Sequence, residues 1–324
     1  MSDKKLVSIV IPCYNEEKNI NRTFDALLDL ISKQNHNFEI IAVNDGSKDG
    51  TWDVIKEYAQ KYREIIGVNQ MRNYGLSDAY QAGFDLAKGD YIVTLAADLE
   101  IPVENIARVV AYLDQGFDFV NTHRLGRWGN AKVSRAMTSD SANKILNKIS
   151  KVNISDRGSG LKGFRADLLK NLRLYGEMHR FIPDYLSVYG AKMKEFEVEF
   201  KDRDYGKSQY GSGFKRTIKV LLDILTLTFM LYFAKKPFSM MPGRLFGFTG
   251  FIVTSIGGVL SLYLAYLKFF MGESIGSRPL FIMAVLLIIV GLQSMMMGLL
   301  GELLLRIYFE SGERKSYVIR EIVR

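Results

Sequence analysis

The stretch LVSIVIPCYNEE, residues 6–17, passes from an apolar, β-branched run into a polar loop within a few positions. Such a run is typical of a buried strand, and the polar residues behind it are typical of a loop that starts a helix. Four more apolar runs follow it: FEIIAVND (38–45), EIIGVNQ (64–70), DYIVTLAAD (90–98) and FDFVNTHR (117–124). Helical patterns separate the first four runs, at about 17–33, 51–62 and 77–88. This alternation predicts an α/β fold with a mostly parallel, Rossmann-like sheet whose ligands bind at the carboxyl ends of the strands.

The loops after the first two runs carry side chains suited to a nucleoside. Tyr14 offers a ring face for stacking, and Glu16 and Asp45 offer carboxylates for a base or for ribose hydroxyls. The same loops are also ordinary turn and helix-start chemistry, with Asn15 as a helix cap, so that structural alternative stays open. The loop after the first run lacks a glycine-rich turn, which argues against a nicotinamide-dependent dehydrogenase.

The fourth run ends in AADLE, residues 96–100. If this segment is extended, Asp98 and Glu100 project on the same side and can share one divalent cation. A pair of acids behind a strand also serves commonly as a helix cap, so metal binding and capping are both open on the residues alone.

Two long uncharged stretches dominate the last third of the chain, Leu245 to Leu267 and Leu280 to Gly301. At about 1.5 Å per helical residue, each is long enough to cross a hydrocarbon core of about 30 Å. A buried core helix is the alternative for one such stretch, but two in tandem favour a transmembrane hairpin. Residues 214–234 are apolar but interrupted by Asp223, which favours an amphipathic helix that lies in the membrane interface.

The chain has 324 residues, with 43 Lys and Arg against 35 Asp and Glu, and a formal net charge of +8. Many of the bases flank the apolar stretches, whereas the segment between them carries only Lys268, Glu273 and Arg278. The positive-inside rule therefore places both termini in the cytoplasm. The basic excess indicates a membrane surface rather than nucleic acid. The single cysteine, Cys13, fits a reducing compartment.

These patterns divide the chain into four segments. We expect a cytoplasmic catalytic domain over 1–213, a juxtamembrane amphipathic helix and linker over 214–242, two transmembrane helices over 243–305, and a basic cytoplasmic tail over 306–324. The helices of the hairpin are expected at about 245–267 and 280–301, which predicts a multi-pass membrane protein.

The motifs together resemble those of family 2 glycosyltransferases, which have a GT-A fold. The matching segments in the first half are PCYNEE (12–17), VNDGSKDGT (43–51), the run from Arg72 to Ile92, and AADLE (96–100). Others resemble enzymes of that family that act on polyprenyl phosphates, of the dolichyl-phosphate mannosyltransferase and bactoprenol glucosyltransferase types. Those segments are THRLGRW (122–128), SRAMTSDSAN (134–143), SDRGSGLKGFR (155–165), MHRFIP (178–183) and RDYGKSQYG (203–211). GRLFGFTG (243–250) and GLLGE (298–302) resemble the bacterial branch with two spans.

The resemblance implies roles for individual residues. Those implied to bind the nucleotide are Pro12, Tyr14, Asn15, Glu16 and Asp45. Those implied to bind the acceptor phosphate are Arg124, Arg135 and Ser139, with Arg127, Arg203 and Lys207 as further candidates. Arg135 and Ser139 are four residues apart in a helical pattern and so share one face, and guanidinium groups bind phosphate in a forked geometry.

The resemblance also implies a catalytic pair and a metal. Asp98 is implied to hold Mg²⁺ or Mn²⁺ at the donor diphosphate, and Asp156 to position the acceptor or to act as a weak base. One departure concerns Ala96, because the family usually has Asp there. We expect Glu100, which stands where many relatives have Gln, to supply the missing charge as a second metal ligand.

These features imply an inverting transferase that moves a sugar from a nucleotide diphosphate sugar, preferably a UDP-sugar, to undecaprenyl or dolichyl phosphate. We expect it at the cytoplasmic face of a bacterial inner membrane, in contact with membrane lipids and not with nucleic acid, and as a homo-oligomer that the resemblance suggests is a tetramer. The alternatives are a GDP-mannose-dependent transferase and a catalytically degenerate membrane scaffold. A processive polysaccharide synthase is disfavoured, because the chain offers no QxxRW-type motif and too few spans.

Overall fold

The computed structural model describes residues 4–125, 147, 152–170, 172–174, 178–201, 242–276, 279–310 and 316–324. The chain forms two compact units. The first comprises Met1–Leu231 together with Lys315–Arg324, and the second comprises Tyr232–Arg314. The predicted amphipathic helix and linker at 214–242 lie outside the described residues, apart from Pro242.

The first unit is built on a single twisted sheet. Its strands are β1 (Leu6–Cys13), β2 (Asn37–Asn44), β3 (Ile65–Gln70), β4 (Tyr91–Thr94), β5 (Phe119–Leu125), β6 (Lys162–Arg165), β7 (Met193–Glu199) and β8 (Ile319–Val323). They lie in the order β7-β5-β6-β4-β1-β2-β3-β8. Strands β1 to β4 pair in parallel with one another, β5 pairs in parallel with β7, and β6 and β8 are antiparallel to their neighbours. The predicted α/β fold with a mostly parallel sheet is therefore confirmed.

Helices cover both faces of this sheet. They are α1 (Glu17–Ser32), α2 (Thr51–Lys61), α3 (Leu76–Leu86), α4 (Asn105–Asp114), α5 (Ala166–Leu169) and α6 (Ile182–Val188), with a 3₁₀ turn at Met178–Arg180. The first, second and fourth helices pack on one face, where Phe24, Ile55 and Ile106 are fully buried. Helix α3 packs on the other face through Ala79 and Phe84. Burying a large apolar side chain contributes about 1.5–3 kcal/mol, so these two layers fix where the loops between strands emerge.

The five strands expected from the sequence are all present, but the fourth is shorter than its apolar run. It ends at Thr94 rather than at Asp98, and Leu99 has a positive φ of 55°. A positive φ turns the chain, so the AADLE segment is not extended. The expectation that Asp98 and Glu100 project on the same side of an extended chain is therefore wrong.

The second unit contains two long helices, α7 (Pro242–Phe270) and α8 (Pro279–Glu310). Within them, Leu245–Phe270 and Pro279–Gly301 are long and apolar enough to cross a membrane, and only 11% of an 18-residue apolar stretch in each is buried. The core helix of a soluble protein is mostly buried. The exposed apolar surface of these two helices is instead typical of membrane-spanning segments, so the chain is a membrane protein.

The two helices of this hairpin approach closely at particular glycines. A Cβ atom on Gly257 would lie 2.8 Å from Ile288 Cγ1 and 2.9 Å from the carbonyl oxygen of Ala284. Among the described residues, a Cβ on the adjacent Gly258 would meet no atom within 4 Å. Small residues let helix backbones approach in a membrane, so packing of the hairpin needs the first glycine and not the second.

The segment expected as a basic tail, 306–324, is structured wherever the chain is described. Helix α8 continues to Glu310, and Ile319–Val323 then forms β8 beside β3. Half-buried and exposed residues alternate along this strand. The last residues of the chain therefore belong to the same unit as the first strands.

We predict that Gly257→Leu weakens the hairpin and that Gly258→Leu does not. The larger side chain at 257 must displace Ile288 or the facing backbone, and such overpacking typically costs about 1–3 kcal/mol. Heating the detergent-purified protein and measuring the monodisperse fraction left in solution compares the two variants. Equal loss in both would show that the close approach at Gly257 is not needed.

Candidate active site

The candidate site lies where the order of the strands reverses. Strand β1 pairs in parallel with β2 on one side and with β4 on the other. The loops that follow β1, β2 and β4 therefore leave the sheet at one edge, and they diverge to opposite sides of β1. This arrangement forms a crevice outside the carboxyl ends of the strands, where ligands of open α/β sheets bind.

The loops after β1 and β2 are joined by hydrogen bonds. The Asn15 amide donates to Ser47 Oγ at 3.0 Å, and the Lys48 amide donates to Asn15 Oδ1 at 2.9 Å. The Glu16 amide donates to Thr51 Oγ1 at 2.8 Å. Asn15 has a positive φ of 56° and does not cap α1, so the capping interpretation is wrong. Its side chain instead fixes the two loops against each other.

Pro12, Tyr14, Asn15 and Glu16 are all partly exposed along this crevice. Asp45, in contrast, is buried at the end of β2, where its two carboxylate oxygens accept the amides of Tyr74 at 2.7 Å and Gly75 at 3.0 Å. Burial raises the pKa of Asp45 to about 6, although both amides act in the opposite direction. Above about pH 6, Asp45 is therefore mainly ionised. Its carboxylate lies next to the loop between β3 and α3.

Asp98 and Glu100 lie in the turn behind β4. The Glu100 amide donates to Asp98 Oδ1 at 3.3 Å. Ala96 faces Gly160, because a Cβ on that glycine would lie 2.8 Å from the Ala96 methyl. A small recess at this turn is lined by Leu95, Ala96, Glu100, Ile101, Arg124, Gly160 and Leu161.

Arg124, at the end of β5, is buried among carboxylates. Its Nε and Nη2 donate to the two oxygens of Asp156 at 2.7 and 3.0 Å, and its Nη1 donates to Glu100 Oε2 at 3.3 Å. Burial alone would lower the pKa of Arg124, but these two carboxylates raise it. One guanidinium thus links the turn after β4 with the loop that carries Asp156.

Glu195 on β7 stabilises the loop that carries Asp156. Glu195 accepts the amides of Ser155 and Asp156, at 2.9 and 3.2 Å, and the side-chain amide of Asn121 at 2.7 Å. Asp156 also accepts the Gly158 amide at 3.1 Å. The carboxyl of Asp156 is therefore fixed by its own loop as well as by Arg124.

A second buried layer of charges supports this loop. Arg157 forms a forked pair with Asp184, with distances of 3.0 and 2.8 Å. Lys162 Nζ donates to the Arg157 carbonyl at 2.9 Å. Burial lowers the pKa of Lys162 to about 8, and the attraction of Asp156 opposes that shift. Sequence reasoning missed these contacts, because no spacing in the sequence indicates that Arg157 meets Asp184 or that Glu195 meets the Asp156 loop.

The structure thus brings most of the described candidates to one edge of the sheet. Pro12 lies near the end of β1, Tyr14, Asn15, Glu16 and Asp45 lie in the loops after β1 and β2, and Asp98, Glu100, Arg124 and Asp156 cluster beyond β4. Five candidates for acceptor binding lie outside the described residues: Arg127, Arg135, Ser139, Arg203 and Lys207.

Comparison with known sequences finds a matching family and similar proteins that cover nearly the whole chain. The family model for glycosyl transferase family 2 matches residues 8–173. The dodecaprenyl-phosphate galacturonate synthase of Rhizobium johnstonii is 31% identical over 98% of this chain and 92% of its own. The undecaprenyl-phosphate 4-deoxy-4-formamido-L-arabinose transferase of Aeromonas hydrophila is 34% identical over 100% of this chain and 95% of its own.

Solved structures share the fold. Glucosyl-3-phosphoglycerate synthase from Mycobacterium tuberculosis, in complex with Mn²⁺, UDP-glucose and phosphoglyceric acid, matches with a TM-score of 0.52 and 16% identity. The match covers 69% of this chain and 80% of that one. Mannosyl-3-phosphoglycerate synthase from Rubrobacter xylanophilus matches with a TM-score of 0.50 and 18% identity, over 74% and 76% of the two chains. At this identity the likeness shows a common fold.

We predict that Arg124→Met lowers the stability of the full-length protein far more than Arg165→Met. Removing Arg124 takes away the guanidinium that forms a forked pair with the buried Asp156, and breaking such a pair costs roughly 3–5 kcal/mol. Arg165 is an exposed side chain that pairs with Asp167 and Asp118, and an exposed ion pair contributes at most about 1 kcal/mol.

Thermal unfolding in detergent checks this pair of variants. A fall in midpoint on the order of 10 °C is expected for Arg124→Met and at most a few degrees for the control. Similar midpoints for the two variants would contradict the structural role assigned to the buried pair.

Proposed function

Because this chain belongs to glycosyl transferase family 2, we propose that it transfers a sugar from a nucleotide diphosphate sugar to a polyprenyl phosphate. The observation that carries the proposal is that the similarity to these relatives extends over nearly the whole chain. Relatives whose names specify polyprenyl-phosphate sugar transfer match at least 98% of this chain, including its apolar hairpin. A soluble acceptor would give no reason for a membrane-spanning hairpin in the same chain.

The donor half of the proposed site is the crevice after β1 and β2. There Tyr14 supplies a ring and Glu16 and Asp45 supply carboxylates, within loops that Asn15 and Ser47 hold together. Ionised Asp45 can accept further hydrogen bonds from a base or a ribose, because a carboxylate has about four lone-pair sites. We propose a UDP-sugar as donor, with GDP-mannose as the alternative.

The turn after β4 fits one divalent cation held jointly with a diphosphate. Among the described residues no group of three or more His, Cys, Asp or Glu side chains could hold a metal ion, and the Ala96 side chain has no oxygen. Asp98 is a hard oxygen donor there, and Mg²⁺ or Mn²⁺ commonly combines one or two carboxylates with substrate phosphates. Such an ion, when bound, would neutralise charge on the departing nucleoside diphosphate.

Glu100 has a different neighbour from the one expected. Its carboxylate pairs with Arg124, so we propose that it balances the charge of this arginine as well as adding negative charge beside Asp98. Glu100 would then compensate for the carboxylate missing at Ala96 through its local charge, and not only by direct coordination of the metal.

The acceptor half of the proposed site surrounds Arg124 and Asp156. We propose that the lipid phosphate binds beside Arg124, with Arg135 and Ser139 as its further partners and with Arg127, Arg203 and Lys207 nearby. Asp156 acts in this scheme as a positioning residue, because its oxygens orient the guanidinium. Removing the acid should therefore disturb phosphate binding through the arginine.

The proposed reaction needs little base catalysis. A phosphate monoester has a second pKa near 6, so it is largely a dianion at neutral pH. One of its oxygens attacks the anomeric carbon, and the bond from that carbon to the nucleoside diphosphate breaks with inversion. The leaving group takes the electron pair. The main tasks of the protein are then to align two anions and to stabilise the charge that develops on the leaving diphosphate.

A transfer assay tests this function. Purified full-length protein is incubated with undecaprenyl phosphate and a panel of nucleotide sugars, and the lipid products are identified by mass. We expect a sugar-phosphate lipid from one donor, loss of activity in excess chelator, and near abolition by Asp98→Asn. Asp29→Asn is the matched control, since Asp29 pairs only with exposed Lys33 in the described structure.

Several results would contradict the proposal. Nucleotide binding without any lipid product would favour the scaffold alternative, and full activity in excess chelator would exclude the metal. A product only with GDP-mannose would replace the proposed donor.

We propose that both ends of the hairpin lie on the cytoplasmic side of a bacterial inner membrane. Support comes from the C-terminal residues Lys315–Arg324, which belong to the same compact unit as the first 231 residues. A chain that leaves one unit and returns to it crosses the membrane an even number of times. The tetramer expected from the family resemblance stays a prediction.

Cysteine labelling in intact cells tests this topology. Cys13 is buried and gives little background. We expect Ser274→Cys, between the two helices, to react with a membrane-impermeant maleimide, and Lys88→Cys to react only after permeabilisation. The reverse pattern would place the catalytic unit outside and exclude a cytoplasmic nucleotide sugar as donor.

A further inference from the structure

The C-terminal residues 316–323, here called the C-terminal strap, run along β3 to the edge of the candidate site. Within the strap, β8 pairs antiparallel with β3, and Gln70 lies opposite Ile319. One residue further, the Met71 amide donates to the Val318 carbonyl at 3.0 Å. The strap thus extends beyond the carboxyl end of β3 and contacts the loop that leads to α3.

The first two residues of the strap contact helix α3. Ser316 Oγ donates to Asp78 Oδ1 in the first turn of the helix. The Tyr317 side chain is buried, and its hydroxyl donates to Asp85 Oδ2 at 2.7 Å. Burial raises the pKa of Tyr317, and Asp85 raises it further, so this hydroxyl stays protonated. Two hydrogen bonds therefore hold the strap on α3, one of them beside the start of the helix.

Asp78 depends on this contact. It is 6% exposed, and burial raises its pKa while the hydrogen bond with Ser316 lowers it. Among the described side chains, Ser316 donates a hydrogen bond to this carboxylate, and the charge of Arg72 and a backbone amide also lower its pKa. A buried carboxylate that loses one of its hydrogen bonds is less favourable, and it moves or takes up a proton more readily.

The loop between β3 and α3 connects this contact to the donor half of the site. The strap holds the loop at Met71, and Ser316 holds Asp78 three residues beyond its end at Gly75. Between these points, the amides of Tyr74 and Gly75 bind the two oxygens of Asp45. The charge of Asp78 also raises the pKa of Asp45. The strap thus acts on the same loop that orients Asp45.

We propose that Ser316 is a positioning residue for the donor nucleotide. Its hydroxyl holds Asp78 and, through it, the loop whose amides fix the Asp45 carboxylate. This inference rests on the proposed function, because it assigns the donor to Asp45. The strap follows the apolar hairpin in sequence, so a residue from the far end of the chain completes the nucleotide site.

The test compares three variants of the full-length protein. Ser316→Ala removes the hydroxyl, and Ser316→Thr keeps it. Glu321→Gln is the control in the same strap, where Glu321 pairs with Lys56 at 3.2 Å on the surface. Calorimetry with uridine diphosphate measures donor binding, and hydrogen exchange of the Tyr74 and Gly75 amides measures the order of the loop without any nucleotide.

For Ser316→Ala we expect roughly three- to tenfold weaker binding of uridine diphosphate, the range for loss of one hydrogen bond. The KM for the nucleotide sugar should rise by the same factor, and the KM for polyprenyl phosphate should not change. Exchange at the Tyr74 and Gly75 amides should become faster. Ser316→Thr should restore binding to within about twofold, and Glu321→Gln should behave like the unaltered protein.

The outcomes separate this inference from the function on which it rests. If the unaltered protein binds uridine diphosphate and Ser316→Ala binds it equally well, the inference is wrong and the proposed function stands. Equal increases in both KM values would reduce Ser316 to a general structural role and overturn the inference. If the unaltered protein does not bind uridine diphosphate, the proposed UDP-sugar donor is wrong, while faster amide exchange in Ser316→Ala would still support the coupling of strap and loop.

Discussion

The parallel pairing of β1 with both β2 and β4 is the constraint on which the rest of the structure depends. Parallel neighbours send their following loops to the same edge of the sheet, and the change of direction at β1 opens a crevice between those loops. The polar residues after β1, β2 and β4 are far apart in sequence and meet only for this reason. Helices packed on both faces then keep the strands from shifting in register.

The two halves of the site are held by different means. Around the crevice after β1 and β2, backbone amides and short polar side chains bind one another, and Asp45 accepts two amides. Around Arg124, buried charges are balanced in pairs, with Asp156 and Glu100 on one guanidinium and Asp184 on Arg157. Buried ion pairs contribute little net stability but cost much when one partner is lost. The cluster around Arg124 is therefore the part of the candidate site that tolerates the fewest isolated substitutions.

Local patterns in the sequence predicted the alternation of strands and helices, the apolar hairpin and most of the residues at the site edge. They failed where a tertiary contact overrides the local pattern. The run DYIVTLAAD reads as one strand, but β4 pairs with β6 only as far as Thr94 opposite Lys162, and the chain then turns at Leu99. Glu195 meets Asp156 because β5 and β7 are paired, which no spacing encodes. Strand β8 was missed because its charged residues made it look like part of a tail.

The position of β8 also has a consequence for biosynthesis. A ribosome makes the chain from its N-terminus, so β3 emerges long before its antiparallel partner exists. Until β8 is made, one side of β3 keeps free amides and carbonyls of the kind that recruit strands from other chains. Both apolar helices are translated in that interval. Pairing of β8 with β3 must therefore wait until the hairpin has been synthesised, and a chain whose translation stops within the hairpin leaves β3 as the edge strand of this sheet.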